Sequence, residues 1–128
     1  MRFVVDASVA VAYLLGAGTE EERGAVLADV HAPSLVDVEV TQTLRGLVRG
    51  GKVDLTVAEE ARQDLPWLGI HRHPDSSLLR RAWALRDRCT VYDGLYAALA
   101  EAVDAALVTR DARLARAVGD LVEVRTTG

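Results

Sequence analysis

The chain has 128 residues, 50% of them hydrophobic, with 15 Lys and Arg against 19 Asp and Glu and a net charge of −4. That length suits one domain with one core, the apolar content argues against disorder, and the acidic balance does not advertise a nucleic-acid binder. A single cysteine, Cys89, excludes an internal disulfide and any Cys-based zinc site; its expected role is a small buried side chain.

Arg2–Asp6 reads as a short, β-branched buried strand, and Ala7–Leu15 as a helix. Thr19-Glu20-Glu21-Glu22 has capping-box spacing and predicts a helix to about Val30, followed by a short strand at His31-Ala32-Pro33. Ser34-Leu35-Val36-Asp37 predicts a second capping box, opening a helix to about Arg49 that Gly50-Gly51 stops. Thr56 is expected to cap the next helix. Leu68–His73 predicts a strand ended by Pro74, and Asp75 or Ser76 starts a helix to about Arg88. Thr90–Val103 predicts a helix, Ala106–Thr109 a strand, Asp111–Val118 a short helix and Leu121–Arg125 a final strand.

Strands separated by helices imply an α/β fold in three α/β/α layers, with a central, mainly parallel sheet of about five strands. No repeat, low-complexity segment or linker interrupts the pattern, so residues 1–128 read as a single domain. Asp6 breaks the apolar run Phe3-Val4-Val5, which argues against a signal-peptide core, and Val9–Gly18 is too short to span a bilayer. A cytoplasmic protein without membrane contact is expected.

Four carboxylates stand where an enzyme places metal ligands. Asp6 closes the first strand and Asp111 follows the strand Ala106–Thr109, so both lie at carboxyl ends of strands, where parallel sheets bind ligands. Glu39 sits on a helix whose apolar stripe is Val36, Val40, Leu44 and Leu47, about 100° from Val40 at the edge of the buried face. Asp37 lies about 60° from Val40 on the other side, but it has a local task as third residue of the Ser34 box. Chemistry is therefore assigned to Glu39 and helix stability to Asp37. Asp93 occupies the first turn of the helix opened by Thr90, where it also fits a capping box; Asp6 and Asp111 could likewise serve as N-caps. Gathered together, such acids repel by roughly 4 kcal/mol per contacting pair at an effective dielectric near 20. A cation, a shared proton or phosphate chemistry must justify the cluster. His71 and His73 alternate along one strand face, but two His make an incomplete metal site, and solvated or core His is expected.

At these residues the chain resembles PIN domains, and specifically the VapC-type toxins of prokaryotic toxin–antitoxin pairs. The resemblance rests on Val4-Val5-Asp6-Ala7-Ser8, Glu39-Val40, Tyr92-Asp93-Gly94-Leu95-Tyr96-Ala97-Ala98-Leu99-Ala100 and Leu107-Val108-Thr109-Arg110-Asp111-Ala112-Arg113-Leu114. It implies that Asp6, Glu39, Asp93 and Asp111 are the catalytic metal residues for Mg²⁺ or Mn²⁺, with Ser8 and Thr109 as polar supporters. It further implies cleavage of RNA, a VapB-like antitoxin partner and a homodimer. Two positions depart from the family pattern: Gln42 stands where Asn is frequent, and Gly94 where Ala is more usual.

A divalent cation would turn an acidic pocket into a phosphate site, and hard cations suit all-oxygen ligands. Arg45, Arg49 and Lys52, or Arg110, Arg113 and Arg116, have spacings that could track RNA phosphates, or that simply complement helix ends and solvent. The leading expectation is a metal-dependent endoribonuclease toxin. The alternatives are a PIN-type nuclease of RNA processing or structured DNA, and a non-catalytic PIN-fold binding module. A receiver-like signalling domain expects an early acidic pair and a late Lys, and the one Lys here is Lys52.

Overall fold

The computed structural model describes residues 1–128. Strand β1 (Arg2–Val5) leads into helix α1 (Ala7–Leu14), and α2 (Glu20–Val26) leads into β2 (Asp29–Pro33). Helices α3 (Leu35–Arg49) and α4 (Leu55–Asp64) precede β3 (His71–His73). Helices α5 (Leu79–Ala84) and α6 (Val91–Val103) precede β4 (Ala106–Thr109), and α7 (Ala112–Val118) precedes β5 (Val124–Thr126). All five strands pair in parallel in the order β3-β2-β1-β4-β5.

The order has a functional consequence. The chain moves outward from β1 through β2 to β3, then returns to lay β4 on the other side of β1. Right-handed crossovers then place α1 to α4 on one face and α5 to α7 on the other, giving three layers. Helix α1 accordingly packs on α2, α3 and α4, while α5 packs on α6. The reversal between β1 and β4 opens a crevice at their carboxyl ends. Both strands are apolar because helices cover both their faces: Val4, Val5, Leu107 and Val108 are wholly buried. Tyr96 and Leu99 of α6 pack into the same core.

Several boundaries differ from the sequence expectation, each for a tertiary reason. Helix α2 stops at Val26, not near Val30, because Val30 pairs with Phe3 in the sheet. The Thr19 box does form: Glu22 N–H donates to Thr19 Oγ1 at 3.1 Å and Thr19 N–H to Glu22 Oε1 at 2.7 Å. The Ser34 box does not. Ser34 is already helical in its backbone, and Asp75 supplies the cap, its Oδ1 accepting from Leu35 N–H at 3.0 Å. Asp37 pairs instead with Arg72, whose Nε donates to Oδ2 at 2.8 Å. Asp54 rather than Thr56 precedes α4. A 3₁₀ turn at Leu65–Trp67 delays β3 to His71, and another at Asp75–Ser77 leaves α5 running only over Leu79–Ala84. Leu121 and Val122 donate back to Val118 O in the turn after α7, so the last strand begins at Val124.

Gly94 has a packing reason. A Cβ there would come within 3.2 Å of Ala82 Cα and Cβ, so its absence lets α5 cross α6 closely. Cys89 packs half-buried at the edge of the core, as a small side chain.

Glu22 is wholly buried in α2 and ties three parts of the chain together. Arg110 grips its carboxylate through Nε and Nη2, both at 2.7 Å, and Thr127 donates to it at 2.8 Å. The guanidinium holds the Glu22 carboxyl down to about 2, from an ordinary value of 4.5. A depressed carboxyl contributes stability above its unfolded value and loses it as the pH falls through the folded one. Glu22→Gln is therefore expected to lower stability at pH 7 by about 2 kcal/mol, allowing for solvent screening at Arg110. Urea denaturation across pH should show the gap from wild type closing between pH 4.5 and about 2. A gap that stays constant would place the Glu22 contribution in packing rather than charge.

Candidate active site

The β1–β4 register sets Val5 beside Val108, which carries Asp6 and Thr109 side by side at the crevice. Asp6 is buried, and its carboxylate is surrounded by donors. The Thr109 hydroxyl donates to Oδ2, the Ser8 hydroxyl donates to Oδ1 at 2.5 Å, and Val9 N–H donates to Oδ1 at 3.3 Å. Asp6 thus caps α1 and lines the crevice at once. Each hydroxyl is oriented in turn: Ser8 Oγ accepts from Arg110 N–H at 3.2 Å, and Thr109 Oγ1 accepts from Asp111 N–H at 3.0 Å. Ser8 and Thr109 therefore act on the cluster through Asp6, as positioning groups.

Glu39 projects from the edge of α3, half-buried, and its Oε1 accepts from the Tyr96 hydroxyl at 2.6 Å. Tyr96 is 1% exposed. Sequence reasoning missed it, although Tyr96 lies three residues beyond Asp93, on the same face of one helix. A phenolate beside Glu39 would be repelled, so burial and that carboxylate push the Tyr96 hydroxyl up and keep it a donor. Asp93 is half-buried in the first turn of α6, its N–H donating to Thr90 Oγ1 at 3.1 Å. Asp111 caps α7, with Oδ1 accepting from Arg113 N–H at 2.9 Å and Leu114 N–H at 3.4 Å.

The charges interact. Burial raises the Asp6 carboxyl above the ordinary range, against the lowering effect of Ser8 and Thr109. Burial also raises Glu39, with the Tyr96 hydroxyl opposing and the charges of Asp93, Asp6 and Asp75 adding to the rise. Asp93 is raised by burial, then by Asp111 and Asp6. All four acids therefore share one electrostatic neighbourhood. Asp75, which caps α3, is a fifth contributor that sequence reasoning missed. Asp37 stands apart, neutralised by Arg72.

No Lys or Arg hydrogen-bonds to Asp6, Glu39 or Asp93, and the nearest base to Asp111 is the exposed Arg113, 3.8 Å away. Carboxylates that raise one another and have no hydrogen-bonded base fit a hard divalent cation. The basic sets divide. Arg110 is tied to Glu22, whereas Arg113 and Arg116 are exposed. Arg45 and Arg49 border a groove of about 400 Å³ between α3 and α4, floored by Leu44, Val48, Leu55 and Ala58. A second groove of about 350 Å³ runs past Glu39, lined by Ala7, Leu35, Val38, Gln42 and Tyr92.

The family model for the PIN domain matches residues 3–120. The chain belongs to the PIN-domain family, and within it groups with the VapC ribonucleases. It is 40% identical to Ribonuclease VapC1 of Mycobacterium tuberculosis over 126 residues, 95% of each chain. It is 40% identical to Ribonuclease VapC9 of the same organism over 112 residues, 87% of each chain. The solved VapBC2 of Rickettsia felis, bound to a DNA fragment from its promoter, shares the fold with a TM-score of 0.68 at 16% identity, covering 98% of both chains.

Carboxyls raised in the folded state bind protons more readily than in the unfolded chain. They favour folding at low pH and lose that contribution as the pH rises through their raised values. In EDTA, Asp93→Asn is therefore expected to melt higher than wild type at pH 7, with the difference vanishing near pH 4 and below. A lower melting temperature for Asp93→Asn at pH 7 would mean that Asp93 is stabilised where it lies rather than repelled.

Proposed function

We propose that residues 1–128 form one PIN-like domain that acts as a metal-dependent endoribonuclease, the toxin of a type II toxin–antitoxin pair. One observation carries this reading: Asp6, Glu39 and Asp93, buried or half-buried, act on one another's charge with no hydrogen-bonded base, in a chain 40% identical to named VapC ribonucleases. Asp6, Glu39, Asp93 and Asp111 would hold Mg²⁺ or Mn²⁺. Such an ion lowers the pKa of a bound water and neutralises charge developing on a phosphodiester.

The chain's own residues arrange the rest. Ser8 and Thr109 each hold one oxygen of Asp6, fixing the direction of both. Tyr96 restrains Glu39 Oε1 and leaves Oε2 without a protein donor. Asp111 caps α7 through Oδ1, leaving Oδ2 for the pocket. Val38 and Tyr92, 66% and 62% exposed, wall the groove beside Glu39 and offer an apolar flank and a ring for an unstacked base. The exposed Arg113 and Arg116 would take flanking phosphates.

The α3–α4 groove suits the antitoxin. Its floor of Leu44, Val48, Leu55 and Ala58 and its rim of Arg45 and Arg49, with Arg62 paired to Glu59 at the far side, fit an amphipathic helix with an acidic flank toward Arg45 and Arg49. A homodimer and a cytoplasmic location belong to the same reading. No helix is long and apolar enough to cross a membrane.

Purified, antitoxin-free protein should cleave RNA with Mg²⁺ or Mn²⁺ and not with EDTA. Tyr96→Phe is expected to fold and to lose about 10–100-fold in cleavage, as outer partners of metal ligands do. Asp6→Asn and Glu39→Gln should lose more than about a hundredfold, since each removes a ligand itself. Near-normal cleavage by Asp6→Asn or Glu39→Gln would remove those residues from the chemistry.

Expression alone should arrest growth, and co-expression with a neighbouring small open reading frame should restore it and yield a tight complex. Leu55→Glu should weaken that complex by placing a charge in the groove, because Leu55 lines it and is 63% exposed in the free chain. Absence of both toxicity and partner would favour an RNA-processing nuclease outside any toxin pair.

A further inference from the structure

All three histidines of the chain converge on one patch of the β2–β3 edge, beside the exposed Asp29. His31 on β2 pairs in register with His71 on β3. Asp29 precedes His31 by two residues and so points to the same face of the sheet. Asp29 Oδ1 lies 2.7 Å from His31 Nε2 and 3.8 Å from His71 Nε2. One ligand atom from each of the three side chains falls within 4.8 Å of the others. We infer that Asp29, His31 and His71 form a second metal site, for a borderline divalent cation of the Zn²⁺ class, separate from the carboxylate crevice.

The geometry supports a three-ligand site completed by water. Ligand bonds of roughly 2.0–2.2 Å in tetrahedral array require ligand atoms about 3.4 Å apart, and 2.7 and 3.8 Å bracket that spacing. The adjustment falls on the mobile partners, because the side chains of Asp29 and His71 are 47% and 66% exposed. His31 is the fixed partner. Its side chain is 12% exposed, its ring stacks on His71 with centroids 4.8 Å apart, and the His73 ring lies tilted to it with centroids 5.1 Å apart. His31 Nδ1 lies 2.9 Å from His73 Nε2 and Nε2 lies 2.7 Å from Asp29 Oδ1, a hydrogen bond whose proton a metal would displace; Nδ1–H then donates to His73 while Nε2 and Oδ1 turn to the ion. An outer partner of this kind orients metal-bound imidazoles. Arg2 Nε lies 3.6 Å from Asp29 Oδ2, a solvent-exposed ion pair without a hydrogen bond that leaves Asp29 able to turn.

Donor chemistry separates the two sites. Two imidazoles and one carboxylate suit Zn²⁺, Co²⁺ or Ni²⁺, whereas the crevice offers oxygen donors alone. Position separates them too: Asp29 and His71 begin their strands, while Asp6 and Asp111 lie beyond the carboxyl ends of theirs. Metal at the patch would clamp the three-residue edge strand β3 onto β2. The far end of β3 anchors α3, through His73 O accepting from Ser34 N–H at 2.8 Å and through the Asp75 cap.

Untagged full-length protein, in excess Mg²⁺ to occupy the crevice, is titrated calorimetrically with Zn²⁺ as wild type, His71→Ala and Asp93→Asn; Co²⁺ absorption reports ligand geometry. One Zn²⁺ per chain is expected for wild type and for Asp93→Asn. Affinity should fall at least about tenfold in His71→Ala, with the tetrahedral Co²⁺ band lost. His71→Ala should melt like wild type in EDTA, because His71 is exposed, and should lose the Zn²⁺-induced rise in melting temperature. Asp29→Asn serves as the second variant and is expected to weaken Zn²⁺ likewise. Absence of stoichiometric Zn²⁺ binding, binding undiminished in both His71→Ala and Asp29→Asn, or binding lost in Asp93→Asn overturns the inference.

Discussion

Asp6 at the junction of β1 and β4 is the constraint on which the crevice depends. Burying an ionised carboxylate costs several kcal/mol unless donors compensate. Here the compensation comes from Ser8 and Thr109 and from the first turn of α1. Ser8 and Val9 are local to Asp6, but Thr109 reaches it only because Val5 lies beside Val108 in the parallel ladder. A slip of one residue would turn Thr109 to the other face of the sheet and strip Asp6 of a partner. The reversal of strand order at the same place gives Asp6 an open side, and α6 returns across the sheet to bring Asp93 and Tyr96 to it.

Two buried acids show how local charge assigns different tasks to like side chains. Glu22 is enclosed and bidentate with Arg110, and its carboxyl is held down to about 2. Asp6 is enclosed with neutral donors only, and burial pushes its carboxyl up. The first is a strut; the second has no base to neutralise it. They are linked through one residue: the Arg110 side chain serves Glu22 while its backbone N–H orients Ser8, which holds Asp6. The strut in α2 therefore positions the loop after β4 from which the crevice is partly built.

The amino end of α3 is a second convergence point. Asp75, arriving from beyond β3, caps the helix that carries Glu39, so the sheet edge sets the height of that carboxylate above the crevice. On the opposite layer, Gly94 lets α5 approach α6 and seats the first turn in which Asp93 lies.

Much of this was legible along the chain. The alternation of apolar strands and helices indicated a three-layer parallel fold, because strands covered on both faces must be continuously apolar. The Thr19 box formed because its two partners are three residues apart and need nothing else. Asp6 and Asp111 stand out by their places after strands, Glu39 by the edge of a helix stripe and Asp93 by the first turn of a helix. What failed was everything whose partner lies far off in sequence. Ser34 and Asp37 have the right spacing for a box, yet Asp75 donates its N–H to Ser34 Oγ across 41 residues and accepts from Leu35 N–H across 40, while Arg72 takes Asp37 across 35. The Tyr96–Glu39 bond spans 57 residues and the Arg110–Glu22 pair 88, distances no local pattern can report. His71 and His73 alone read as an incomplete set. Only the β2–β3 register brought them His31 and Asp29, because hydrogen bonding between strands, not adjacency in the chain, decides which side chains become neighbours.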